Sequence, residues 1–218
     1  MADPLADDTT VTDRLRADIL AGVLPPGERL VELVLSERYG VGRAAVRAAL
    51  VELVGEGLVQ REANRGATVR RVSLVEAIEI TEARGVLEGL IARLAAERAT
   101  DEERVELRGI VEEMQAAVDA GTPAAYSELN RRFHLRLRQI ARHEIADVLV
   151  DNLRNRAVHH QFRLSMVTGR AEESLGQHRA VADAVIAGDG DGAEAAMRAH
   201  LDSVAAVLRH RNELGVPV

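Results

Sequence analysis

Residues 39–50 read YGVGRAAVRAAL. A Gly-Val-Gly turn leads into a short Ala-rich run in which Arg43 and Arg47 stand four apart, about one helical turn, so both guanidiniums project from one face. Ala44, Ala45 and Ala48 keep that helix slim, while Val46, Leu50 and Leu53 are spaced to face inward. Two forked cations on a slim helix suit an anionic partner, yet a charged solvated face has the same pattern. The flanking sequence decides between them.

Upstream, Thr10-Val-Thr-Asp13 has the spacing of a capping box, and VTDRLRADILAG carries apolar residues at 11, 15, 19 and 20 before Gly22. Pro25-Pro26-Gly27 breaks the chain. A second short helix is expected around 32–39, and a third over 43–54, stopping at Gly55. Two β-prone runs follow, LVQRE (58–62) and ATVRRV (67–72), joined by Ala63-Asn64-Arg65-Gly66, a hairpin turn in which Gly66 takes a positive φ. Three helices and a hairpin are the parts of a winged helix-turn-helix, in which the helix at 43–54 would enter a DNA major groove. Arg43 would reach phosphate or guanine, Arg47 is placed for a bidentate contact with guanine O6 and N7, and Asn64, Arg65 and Gly66 would present the wing to the minor groove or backbone.

Beyond Val72 the strand signal disappears. Ser73-x-x-Glu76 opens a helical segment to about Ala99, with a break expected near Thr81. Thr100-x-x-Glu103 opens another that ends at Gly121, and Thr122-Pro123 is an N-cap with proline at the first helical position. Further helices are expected from 123 to about 141 and from 144 to about 167. Ser174-x-x-Gln177 is expected to open the next, ending at Gly188, and Asp191-x-x-Glu194 the last, to about 212. The reading is mainly α: a winged helix-turn-helix over 1–72, then an antiparallel bundle of six or seven helices over 73–218.

Composition agrees. Aromatics make up 2% of the 218 residues against 47% hydrophobic, so the core is aliphatic. With no cysteine, disulfides and thiolate metal sites are excluded. The net charge of −7 argues against a general nucleic-acid coat, but residues 38–71 hold seven arginines against three acids, a local basic face. The acidic N-terminus MADPLADDTT is unlike a signal peptide and no apolar run has membrane length, which points to a cytoplasmic protein without membrane contact.

The helical half contains a second constellation. Asn130 and His134 share a helical face, His178 falls in the first turn expected for the penultimate helix, and His200 lies midway along the last. Three imidazoles and a side-chain oxygen could hold a divalent metal, although scattered histidines are more often hydrogen-bonded core or surface residues. His143 and His210 read as surface. Arg84 stands four residues before Glu88, the spacing of an i,i+4 ion pair. His159, His160 and Arg163 are further candidates for a pocket wall.

The segments ILAGVLPPGERLVE, YGVGRAAVRAAL, LVGEGLVQ and NRGATVRRV resemble the DNA-binding domain of the GntR family of bacterial transcription regulators. The shared positions are Pro26-Gly27, Arg43, Val46-Arg47, Ala49-Leu50, Glu56-Gly57-Leu58-Val59 and Arg65-Gly66. Gly42 stands where Ser or Thr is usual, which removes a helix-capping hydroxyl and a phosphate contact; Ala44-Ala45 and Ala48 also depart from the pattern. The segments ITEARGVLEGLIARLAAERA, NRRFHLRL and SLGQHRAVADAVIAGDGDGAEAAMRAHL resemble the ligand-binding FCD domain of the FadR-like subfamily. That resemblance implies a metal (Zn, Ni or Mn-like) held by Asn130, His134, His178 and His200, with Asn130 replacing the usual Asp and Gln177 a frequent Glu. It also implies that Arg84 anchors an effector carboxylate.

The resemblance implies a homodimeric repressor that reads a double-stranded DNA operator and responds to a small organic acid. Two rivals remain: a regulator whose bundle only dimerises, and a metal-dependent enzyme. No carboxylate stands as an obvious general base beside the histidines, which weighs against the enzyme.

Overall fold

The Asp13 amide donates to Thr10 Oγ1 at 3.1 Å and the Asp13 carboxylate accepts from the Thr10 amide at 3.1 Å, a reciprocal cap that opens α1 (Val11–Leu20). The computed structural model describes residues 10–62, 66–165 and 169–213, and the chain divides into two units at Val72 and Ser73. In the first unit, α1 is followed by β1 (Arg29–Leu30), α2 (Glu32–Tyr39), α3 (Arg43–Gly55), β2 (Val59–Glu62) and β3 (Gly66–Val69). Gly40 ends α2 in the left-handed region at φ 67°, where a side chain would be strained, and so turns the chain into α3.

Leu15 and Ile19 of α1 pack with Leu35 and Tyr39 of α2 and with Val46, Ala49, Leu50 and Leu53 of α3. Arg16 clamps Glu56 through two bonds of 2.8 and 2.6 Å, which ties α1 to the end of α3. The sheet order is β1-β3-β2, all antiparallel, with Val59 opposite Val69 and Leu30 opposite Ala67. Ala67 and Val69 of β3 are buried, the alternation expected of a sheet packed on one face. The hairpin thus lies where expected, and Gly66 has its positive φ (84°). The two-residue strand β1 was not anticipated: it has no periodicity of its own and exists because β3 offers an edge.

The second unit comprises α4 (Leu74–Arg98), α5 (Asp101–Asp119), α6 (Pro123–Ala141), α7 (Glu144–Ser165), α8 (Arg170–Ala187) and α9 (Gly190–Glu213), six helices among the described residues. Its core joins Ile91 and Ala95 of α4, Ile110 and Met114 of α5, Phe133 and Leu137 of α6, Val181 of α8 and Met197 of α9. Thr100 and Glu103 form the expected capping box. The expected break at Thr81 is absent. Its hydroxyl donates to Ala77 O at 2.7 Å, one turn back, so the polar group is satisfied inside a continuous helix.

Other helix starts also differ from expectation. α8 begins at Arg170, so Ser174 and Gln177 lie inside the helix and His178 falls beyond its first turn. α9 is capped from outside by Asp189, whose Oδ1 accepts from Gly192 N at 2.9 Å, not by Asp191. Thr122 precedes Pro123 as expected, but its hydroxyl donates back to Ala117 O at 3.0 Å instead of capping α6. His143 is half-buried, and its Nδ1 accepts from Ala146 N at 3.2 Å, which makes it the cap of α7 rather than a plain surface residue. Among the described residues, no helix is long and apolar enough to cross a membrane.

Candidate functional sites

On α3 the periodicity resolves into two faces. Val46, Ala49, Leu50 and Leu53 are buried; Arg43, Ala44, Arg47 and Ala48 are exposed. Gly42 occupies the N-cap with no side-chain bond, as its missing hydroxyl requires, and only its carbonyl serves the helix, accepting from Ala45 N at 3.0 Å. Arg47 is engaged: its Nε and Nη2 donate to the two carboxylate oxygens of Glu32 at 2.9 and 2.7 Å, and Arg43 Nη2 stands 3.7 Å from the same carboxylate. The bond from Arg47 holds the Glu32 carboxyl below its ordinary range. Sequence reasoning missed Glu32, although an acid in the first turn of α2 is favoured there by the helix dipole. Gly66 opens β3; Asn64 and Arg65 lie outside the described residues.

In the second unit the folding of α6, α8 and α9 gathers His134, His178 and His200, all buried, with one ring nitrogen of each within 4.8 Å of the others. Nε2 of His134 faces Nε2 of His178 at 3.2 Å. Nδ1 of His178 and of His200 is hydrogen-bonded to a neighbour. His200 Nδ1 lies 2.8 Å from Gln177 Oε1, which can only accept, so Nδ1 carries the proton and Nε2 keeps its lone pair. His178 Nδ1 meets Ser174 Oγ at 3.3 Å and Tyr126 Oη at 3.4 Å. His134 Nδ1 lies 2.7 Å from Glu88 Oε2, outside hydrogen-bond geometry. Phe133 sits edge-on to the rings of His134 and His178.

Burial pushes all three imidazoles below their ordinary range. The other histidines add to this at His178 and His200, while Glu88 partly offsets it at His134. Neutral imidazoles are the form that ligates a metal, and a neighbour bonded to Nδ1, as at His178 and His200, leaves Nε2 for that role. Asn130 Oδ1, one turn before His134, is buried without a hydrogen-bond partner. An orphaned oxygen beside three convergent nitrogens fits a divalent ion. The sequence did not reveal Glu88, Tyr126, Ser174 or Gln177 as supports of this group.

A cavity of about 80 Å³ opens beside the histidines, and its walls include Asn130, His134, His200, Arg84, Arg154 and Arg170. Arg84 is buried and its fork is taken, with Nε and Nη2 each 2.7 Å from Glu88 Oε1. Of its two readings, the ion pair is present, and the residue also reaches the cavity wall. Although burial opposes ionisation of Glu88, Arg84, His134 and Arg154 hold its carboxyl well below the usual range. Burial and the neighbouring Arg84 push Arg154 down to about 10. The side chains of His159, His160 and Arg163 lie outside the described residues.

Residues 8–69 match the family described as bacterial regulatory proteins, gntR family, and residues 79–203 match the FCD domain. The chain belongs to the GntR family. It is similar to the HTH-type transcriptional repressor RspR of Escherichia coli, 29% identical over 89% of this chain and 86% of that one. It is also similar to the HTH-type transcriptional regulator Rv0494 of Mycobacterium tuberculosis, 34% identical over 90% and 86%. Among solved structures, E. coli McbR/YncC superposes with a TM-score of 0.77 at 25% identity, covering 93% of this chain and 96% of that one. This GntR protein is therefore a DNA-binding transcription regulator with an FCD domain, and its relatives are regulators, not enzymes.

Proposed function

We propose that this GntR regulator binds a palindromic operator as a homodimer, and that a small organic acid, held with a divalent metal in the cavity among α6, α8 and α9, controls that binding. Arg43, Ala44 and Arg47 on the exposed face of α3 meet the major groove, with Asn64, Arg65 and Gly66 as the wing. Asn130, His134, His178 and His200 hold the metal, which supplies a Lewis-acidic anchor for a carboxylate. Effector occupancy changes operator affinity through a coupling free energy between the two sites, as repression relieved by the acid.

The observation that carries this reading is the set of three buried imidazoles, each with a ring nitrogen within 4.8 Å of the others, together with the orphaned Asn130 oxygen one turn before His134. A bundle that served only dimerisation would gain nothing from burying three histidines and an unpaired amide together, since unpaired buried polar groups cost stability.

The deciding experiment is elemental analysis of tag-free protein purified without chelator, beside a His134→Ala variant. The reading expects about one metal per chain, lost in the variant. Absence of metal from the native protein, even after dialysis against zinc, nickel or manganese, would leave the histidines structural and the bundle a dimerisation element.

A further inference from the structure

We infer that Arg61, on β2, is a further DNA-binding residue: it holds the phosphate backbone at the wall of the groove that α3 enters, beside the base met by Arg47. This rests on the placement of α3 in the major groove proposed above, and adds a contact from the body of the wing, away from its tip.

The strand returns along the helix before it. Leu58 N donates to Leu53 O at 3.1 Å where α3 gives way to β2, and the two elements pack together. From Leu58 to Arg61, strand steps of about 3.3 Å carry the chain about 10 Å, the length of roughly six to seven helical residues at about 1.5 Å each. Counted back from Leu53, that is the level of Arg47. The pairing of the sheet sets the direction of the side chain. Arg61 lies opposite Ala67, next along from the pair Val59 and Val69 on the same face, since opposed and alternate residues share a face. Val59, Ala67 and Val69 are buried, so Arg61 leaves the sheet on the side that packs against the helices, yet it is exposed because the core under β2 ends at Val59.

Glu32 is where these side chains meet. Arg47 grips its carboxylate through two bonds of 2.9 and 2.7 Å, and Arg43 Nη2 stands 3.7 Å away. The bond from Arg47 first, and then the charges of Arg47, Arg43 and Arg61, hold the Glu32 carboxyl down against its partial burial. Arg61 therefore belongs to the same charged face as the two arginines of α3. Three cations around one anion repel one another in the free protein, and Glu32 already uses both oxygens on Arg47. On DNA, the anion that relieves this repulsion is a phosphate. Size excludes a base: a helix with its side chains is about 10–12 Å across and the major groove about 12 Å wide, so α3 fills the groove and a guanidinium at its flank reaches the wall. The start of α3 offers the backbone little itself, because Gly42 caps the helix without a side chain.

The test is fluorescence anisotropy of full-length protein on an operator selected from a random pool and on a random duplex, over a salt series. Arg61→Gln, Arg61→Lys, Arg29→Gln and Arg47→Ala are compared with the native chain. Arg29 controls for net charge: it is exposed on β1 opposite Thr68, which lies opposite Gln60, and so projects from the other face of the sheet. Arg61→Gln should weaken binding to both duplexes by the same factor, on the order of tenfold per contact at about 0.1 M salt, and flatten the salt slope by about 0.9 per contact, hence about 1.8 for a homodimer. Arg61→Lys, which keeps the charge, should keep the slope, and so should Arg29→Gln. A native slope in Arg61→Gln would overturn the inference, as would an equal flattening in Arg29→Gln, which would make the effect one of net charge alone. Lost discrimination in Arg61→Gln at an unchanged slope would also overturn it, by making Arg61 a reader of bases. Arg47→Ala separates the two levels of failure. If it discriminates as the native protein does, α3 does not read the groove and the inference falls with that reading. If it loses discrimination while Arg61→Gln behaves as native, the inference alone falls.

Discussion

At the scale of single residues, the informative pair is Glu32 and Arg47. Both are partly solvent-exposed, so their bidentate bond adds little to stability. Its consequence lies in recognition: the fork that would read guanine is occupied by a carboxylate of the same protein, and any DNA must displace or share it. A negative group at the groove face also repels phosphates, which penalises binding that is not compensated by base contacts. The Glu32→Gln variant should therefore bind random duplex several-fold more tightly, with less discrimination for an operator selected from a random pool. Arg47→Ala should lose about 1–3 kcal/mol of that discrimination while keeping most of its non-specific affinity. Fluorescence anisotropy on both duplexes across a salt series measures each effect. Unchanged discrimination in Arg47→Ala would remove α3 from base recognition.

At the scale of elements, local chemistry proved legible where one motif settles one end. The Thr10 and Thr100 boxes, Gly40 and the turn at Gly66 all depend on neighbours within a few residues. The same letters misled at Ser174-x-x-Gln177, because a capping box cannot be told by spacing from a helix-interior serine that serves a buried histidine. The histidine set was legible from its spacing and the resemblance. Arg154 and Arg170 as walls of the cavity beside it were not, since only the packing of α7 and α8 brings them there. The junction of α1 and α2 carries its own test. Tyr39 donates its hydroxyl to Asp18 at 2.6 Å, and burial and then this bond raise its phenol from 10.0 to about 12. A pKa raised by folding contributes stability that is complete below pH 10 and is lost as pH climbs toward about 12. Urea midpoints between neutral and alkaline pH should fall more steeply in the native protein than in Tyr39→Phe. At neutral pH that variant should lose only about 0.5–1.5 kcal/mol, because Asp18 keeps its 3.0 Å pairing with Arg38. Parallel alkaline slopes would show that this hydroxyl does not link the two helices.

At the scale of the whole chain, each unit has its own apolar cluster, and among the described residues none belongs to both. A change deep in one should therefore be confined to it unless the functional coupling itself carries it across. Phe133 allows that to be tested, because it is fully buried in the helical core and also stands edge-on to two of the histidines. Truncating it leaves a cavity worth about 3–5 kcal/mol and frees the rings of His134 and His178. In Phe133→Ala, amide exchange should accelerate across α4–α9 while protection in α1 and α3 stays as in the native protein, and metal should be retained less tightly against a chelator. Phe133→Leu, which refills most of the volume but not the ring edge, separates the two contributions. It should recover most of the exchange protection yet still release metal faster than the native protein. If Leu restored both, the aromatic would be packing alone, and the histidines would owe their orientation to Glu88, Ser174 and Gln177.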